Sequence, residues 1–349
     1  MSENTSVHGS IDAQLSRDFA KMSFICAIMI VYLHTGCAAR GEIIFQLIQK
    51  TITSLCQVAI PWFFFASGFF LSRHIGEECW WSREMIKRIR SLLVPFWIWG
   101  MLIFFVYCSI ALCIRVVGYD YHGIDALRWI SIRGILRVVG LDYAASMPTM
   151  WYMRSLFLFV VISPLIHAGR IVLVALLGIL YVAFSICLPE ISSPWDYVFE
   201  FLVSLRGIVY FSFGIYFYSH RKLFAQPLYG ILGVVGVGLL ILKLTVATQW
   251  RVLDVLMVPG LMVVVYHCVS RMRIPTMLAT MSFPIYVMHI IFTYCISALY
   301  GVIGVGGEGR TLFVLGIVRF FAVLGSAILV TLLQRRQFPI FAKILFGGR

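Results

Sequence analysis

His34 stands about two thirds of the way along an apolar run from Phe24 to Ala39, in the stretch ICAIMIVYLHTG. A titratable ring in such a run is costly unless it faces a cavity or a partner, which makes it the first candidate for chemistry. A neutral imidazole near pH 7 takes a proton from an attacking hydroxyl and later releases it, the work of a general base. The plainer alternative is a buried histidine satisfied by a backbone carbonyl. His289, in SFPIYVMHIIF, raises the same question late in the chain, beside three arginines inside apolar runs, Arg154, Arg206 and Arg319. Arg154 and Arg206 lie near the outer ends of their runs, where the guanidinium can snorkel to the interface. Arg319 lies deeper and calls for a partner within the protein.

Two further stretches carry polar groups where apolar ones would suffice. In PWFFFASGFFLSRH, residues 61–74, the proline and the Ser67–Gly68 pair either kink a helix or turn freed backbone groups toward a cavity. In CWWSREMIKRIRSLLVPFW, residues 79–97, helical phasing puts Trp81, Met85, Ile89 and Leu92 on one face and Arg83, Lys87 and Arg90 on the opposite one. That pattern is an interfacial amphipathic helix leading into a membrane span. Arg88 projects beside the apolar face, so it must meet protein, lipid phosphate or an anionic ligand. A basic helix of this kind binds lipid head groups, and the same charges suit the phosphates of coenzyme A.

The elements that position these residues follow from composition. Of 349 residues, 61% are apolar and 12% charged, and mean hydropathy is +0.95, which marks a polytopic membrane protein. Apolar runs of bilayer-crossing length number about ten, centred near Met29, Trp62, Ile103, Leu158, Ala175, Phe211, Val235, Met262, His289 and Val323. The runs are continuous rather than alternating, so the expected fold is an all-α transmembrane bundle and not a barrel. Residues 1–18 are polar and lack the apolar core of a signal peptide. They form an expected cytoplasmic tail, followed by a membrane domain over 19–335 and a second cytoplasmic tail over 336–349.

With the N-terminus inside, inner segments hold 16 Lys and Arg against 9 in outer ones, so both termini are expected in the cytoplasm. The acidic stretch from Glu190 to Glu200 fits the outer side. The net charge of +13 is then explained by topology and anionic membrane lipid, with no need for nucleic acid. Nine cysteines show neither CxxC nor zinc-ligand spacing, so no metal or redox site is expected. GVIGVGGEGR, residues 301–310, lacks the strand and the Lys-Ser/Thr ending of a phosphate loop and is a flexible linker. Gly230, Gly233, Gly236 and Gly238 allow close helix contact. The polar loop from Arg115 to Pro148, with Asp120, His122, Asp125 and Asp142, is long enough to cover a site.

The order and spacing of IVYLHTG, VAIPWFFFASGFFL, KRIRSLLVPFWIW, MWYMRSLFLFVVISPL, YFSFGIYF and SFPIYVMHIIF resemble the acyltransferase-3 family of bacterial integral-membrane acyltransferases, over nearly the whole chain. The resemblance implies transfer of an acyl group, commonly acetyl from acetyl-coenzyme A, to a hydroxyl of a cell-surface polysaccharide or its lipid-linked precursor at the cytoplasmic membrane. It implies His34 as the catalytic residue and the basic residues before span three, Arg88 and Arg90 with Lys87, as the donor site. Arg154 is the candidate for stabilising the oxyanion, and Ser67, His289 and Arg319 are further candidates without an assigned role.

Many relatives carry a cation eleven places before the histidine, about 20° away on a helical wheel. Here that place is Ser23. Lys21 is thirteen places before and about 220° round, so either the helix is irregular or another cation does the work. A different class of function, polysaccharide export or flipping without thioester chemistry, is the alternative. A chain ending at Arg349 points to a stand-alone protein, and oligomeric state is open.

Overall fold

The computed structural model describes residues 3–35, 43–117, 136, 150–187, 197–219, 228–246, 251–304 and 309–348. Asp120, His122, Asp125, Asp142 and Glu190 lie outside the described residues. No strand occurs among those described. Chain order runs through α1 (Glu3–Thr35), α2 (Ile43–Cys56), α3 (Ala59–Leu71), α4 (Trp80–Arg88) and α5 (Val94–Val117). After the long loop come α6 (Trp151–Val161), α7 (Ser163–Cys187), α8 (Tyr197–Tyr218), α9 (Leu228–Thr245) and α10 (Arg251–Ser270). The short α11 (Thr276–Ala279), then α12 (Ser282–Val302), α13 (Gly309–Gln337) and α14 (Pro339–Leu345) complete the chain.

All ten expected apolar centres fall on helices, but fewer of these meet the length of a full crossing. Among the described residues six stretches do: Ala13–Thr35, Ile43–His74, Trp80–Val106, Leu253–Ser270, Ser282–Val302 and Thr311–Gln337. A seventh arises if Trp151–Val161 and Ser163–Gly169, bent by 58°, form one span. The bend has a local cause. Pro164 has no N–H for the carbonyl of Val160 and its ring crowds that carbonyl, so the helix breaks at Ile162, and the Ser163 hydroxyl donates to Val160 O instead, at 2.7 Å. An apolar average is blind to such a break because the residues around Ser163 and Pro164 stay hydrophobic.

The centre of the bundle is aromatic. Phe19 of α1 packs its ring 4.7 Å from Trp62 and 4.8 Å from Phe69 of α3. On the other side α3 is held tightly to α8 by two glycines. A Cβ on Gly68 would lie 2.1 Å from Phe211 O, and one on Gly214 would lie 2.2 Å from Phe65 O. The Ser67–Gly68 pair does not interrupt the helix, which is continuous from Ala59 to Leu71. The missing side chain lets two backbones approach, which is how membrane helices associate where lipid offers no hydrophobic drive. Gly236 and Gly260 join α9 to α10 in the same way, whereas Gly230 and Gly238 have nothing within 4 Å of such a Cβ.

Gly68→Ala is expected to cost about 1–3 kcal/mol or more, because backbone rather than a flexible side chain must move. Gly325→Ala, where nothing lies within 4 Å, is the control. Thermal unfolding of both in one detergent checks this, and equal midpoints would contradict the packing account.

One end of the bundle collects the cations. Lys21 Nζ lies 3.0 Å from Asp18 Oδ1 and 3.0 Å from Ser270 O at the end of α10. Arg73 donates to Ser16 Oγ, and Arg335 to Thr280 Oγ1 and O. The C-terminal turn docks nearby: Trp99 Nε1 donates to Leu345 O at 2.9 Å, and Phe346 is fully buried.

Candidate active site

A cavity of about 310 Å³ lies between α1, α3, α4, α6 and α12, with Ser23, Ser67, Lys87, Arg88, Tyr152 and Tyr286 among its lining. Lys87, with its side chain 58% exposed, marks the solvent side, while Arg88 is only 12% exposed. Both are tied to one buried carboxylate on their own helix. Glu84 Oε1 lies 3.1 Å from Lys87 Nζ, and Oε2 lies 3.3 Å from Arg88 Nε. Spacings of three and four residues put all three on one helical face.

A π-helical turn, Ile89–Leu93, follows Arg88, and Leu92 joins Arg88 in the cavity wall. The protein partner that Arg88 called for is thus Glu84, yet two cations against one carboxylate leave the cavity rim positive. His74 Nε2 adds a contact to Glu84 Oε1 at 3.9 Å. In the turn before α4, the hydrogen bond from His74 and, with it, Arg83 hold the exposed Glu77 carboxyl below its ordinary pKa.

The place of the missing cation, Ser23, lies on a regular helix. The first helix is continuous from Glu3 to Thr35, and Lys21 is engaged at the basic end of the bundle. At the place of the cation, Ser23 Oγ accepts a hydrogen bond from Trp62 Nε1 at 3.1 Å. The cations lining the same cavity come from α4 instead, as Lys87 and Arg88.

Ser23 and His34 share one face of α1, and eleven residues of helix set them about 16 Å apart along the axis. Across from them runs α12, whose Ser282, Phe283 and Tyr286 line the cavity. One turn beyond Tyr286 is His289, fully buried, with its ring centroid 6.1 Å from that of Tyr286 and 5.1 Å from that of His34. His34 itself is exposed at the last turn of α1. The next residue, Thr35, is fully buried, and its carbonyl accepts from Arg319 Nη2. Arg319 Nη1 donates to Ser297 Oγ at 3.0 Å. A guanidinium at a helix C-terminus satisfies an orphan carbonyl and complements the dipole, so Arg319 fixes the helix end that carries His34.

Of the expected site residues, the fold gathers Ser67, Lys87 and Arg88 on the cavity, and His34, His289 and Arg319 at the far end of α1. Arg90 is exposed and absent from the cavity wall. Arg154 is half-buried, and it lies about 200° round α6 from both Tyr152 and Leu156, the residues that line the cavity. Its helix turns it away from the cavity. Sequence reasoning missed Glu84, Tyr152 and Tyr286. Glu84 carried a signal, as the one acidic group within a basic helix, three and four places before Lys87 and Arg88. The two tyrosines carried none, being indistinguishable from packing aromatics.

The cavity thus has a basic rim, and His34 lies beyond its wall, on the same face of α1 as Ser23. The acyltransferase-3 family model, described as an acyltransferase domain, matches residues 22–335, nearly the whole chain. The chain belongs to the acyltransferase-3 family. No curated protein and no solved structure matches it. In this acyltransferase-3 chain the matched region takes in the α1 face, the α4 cations and the α12 histidine, so the described cavity lies within the family's own domain. It is accordingly a multi-pass membrane acyltransferase built of helices.

Proposed function

We propose that the protein moves an acyl group, acetyl first among them, from acyl-coenzyme A to a hydroxyl of a cell-surface polysaccharide or its lipid-linked precursor. The observation that carries this reading is the cavity with Lys87 and Arg88 in its wall, together with His34 further along the face of α1 on which Ser23 lines that cavity. The two cations hold the nucleotide phosphates, and a cavity of about 310 Å³ takes the slender thioester arm while the nucleotide stays outside. The axial distance of about 16 Å from Ser23 to His34 is one that an extended pantetheine arm spans.

At the far end His34 accepts the proton of the acceptor hydroxyl as its oxygen attacks the thioester carbonyl. The C–S bond then breaks, and the proton passes to the leaving sulfur. Among the cavity residues Tyr152, Tyr286 and Ser67 carry hydroxyls suited to the developing oxyanion, and they replace Arg154 in that role. The positive-inside rule puts the basic end in the cytoplasm, with about ten spans, both termini inside, anionic lipid around them, and the bacterial cytoplasmic membrane as the site of action. No metal takes part in this scheme.

The test is turnover of radiolabelled acetyl-coenzyme A by the purified full chain in nanodiscs, with and without a polysaccharide acceptor. Release of coenzyme A with label appearing on the glycan is the expected result. Absence of turnover together with glycan movement across proteoliposomes would replace this reading with that of an exporter.

A further inference from the structure

We infer that His289 is the positioning residue for His34: its bare Nε2 accepts one N–H of the His34 ring, so that the other ring nitrogen presents its lone pair to the acceptor hydroxyl. This role rests on the acyl-transfer reading above.

His289 lies 2.6 Å through Nδ1 from Tyr286 O. A carbonyl only accepts, so Nδ1 carries the hydrogen, and in a neutral ring Nε2 is then a lone pair. That nitrogen is buried and has no hydrogen-bond partner among the described residues. A buried acceptor left unpaired is uncommon enough to require an explanation. With Nδ1 turned back to its own helix, Nε2 lies across the ring, and the facing imidazole is that of His34, at a centroid distance of 5.1 Å and an interplanar angle of 43°.

His34 makes no hydrogen bond among the described residues and its ring is exposed, so it can turn to close the contact when substrate arrives. Such hydrogen bonds often tighten only in the loaded enzyme. Arg319 contributes from the other side by anchoring the Thr35 carbonyl, which holds the helix end in place while the ring turns.

The pair divides the work. Neutral His34 has one N–H and one lone pair. Giving the N–H to His289 leaves the lone pair for the hydroxyl. When the O–H proton moves to His34, the ring becomes an imidazolium whose N–H binds His289 Nε2 more strongly than before. The stabilisation therefore grows toward the transition state, where it raises kcat rather than affinity. When the C–S bond breaks, His34 returns that proton to sulfur, and His289 has neither gained nor lost one.

Two substitutions separate this role from packing. His289→Asn keeps an amide N–H where Nδ1 stands but has nothing at Nε2, whereas His289→Gln can place its carbonyl oxygen there. Expected for His289→Asn is a loss of about 10–100-fold in kcat with the acetyl-coenzyme A KM unchanged. His289→Gln recovers most of it, and His34→Ala/His289→Asn is no slower than His34→Ala alone. A kcat for His289→Asn within twofold of wild type, or equal losses for Asn and Gln, would overturn the role.

The wild-type chain supplies an independent check by 15N NMR of its labelled imidazoles. A His289 ring protonated at Nδ1 supports the pair, and one protonated at Nε2 refutes it even if no variant folds. Failure of the acyl-transfer reading shows separately, as absence of thioester turnover in the wild type.

Discussion

His34→Ala is expected to lower acetyl-coenzyme A turnover by about 10²–10⁴-fold, the range lost with a general base, while the protein stays folded. The two halves of that expectation have separate grounds. Without an imidazole the acceptor hydroxyl attacks with its proton still attached, and no other titratable side chain among the described residues replaces the ring at that place except His289, whose Nδ1 is turned to Tyr286 O. The core does not depend on the ring, because His34 is exposed and makes no hydrogen bond among the described residues. The anchor of the helix end, Arg319 to Thr35 O, is left in place. Single-turnover loss of the thioester, measured at matched thermal midpoints, decides it. A variant retaining more than a tenth of wild-type turnover would remove His34 from the chemistry.

Arg88→Ala is expected to raise the KM for acetyl-coenzyme A by about 30-fold with little change in kcat. That is about 2 kcal/mol, within the range for a hydrogen bond to a charged group. The penalty should vanish with acetyl-pantetheine, which carries the thioester arm without the nucleotide phosphates. This second donor matters because Arg88 also binds Glu84 at 3.3 Å, so its loss disturbs α4 as well as the rim. A disturbed helix penalises both donors alike, whereas a lost phosphate contact penalises only the donor that has phosphates. Equal KM changes for the two donors would return Arg88 to a purely structural ion pair. Lys87, with its side chain 58% exposed, should show a smaller effect in the same direction, since solvent and salt screen it.

Much of the architecture was legible because lipid leaves few options. Long apolar runs must be helical where no water satisfies the backbone, so an all-helical bundle follows from composition. The positions of the helices follow too, down to ten centres that all land on helices. Lengths did not. Whether Leu158 and Ala175 belong to separate crossings depends on Pro164 and the Ser163 hydroxyl, local effects that no hydropathy window contains. The meaning of Gly68 was likewise hidden, since a missing Cβ signals a kink or a close approach equally, and only the neighbour, Phe211 O, distinguishes them.

At the site, chemistry and geometry divided in the same way. The residue types that could act were visible in the chain: an imidazole inside an apolar run at His34, a second at His289, and cations before span three. So was the helix face that Ser23 shares with His34, because an eleven-residue spacing is close to three full turns. Which of these meet depends on the packing of the helices. That packing, with Glu84 holding both cations from within their own helix, set Lys87 and Arg88 across from Ser23. It left Arg90 and Arg154 off the cavity and brought His289 to 5.1 Å from His34 across 255 residues of chain. The physical reason is that periodicity fixes directions within one helix, whereas the pairing of helices is set by small-residue contacts and backbone breaks whose partners are remote in sequence.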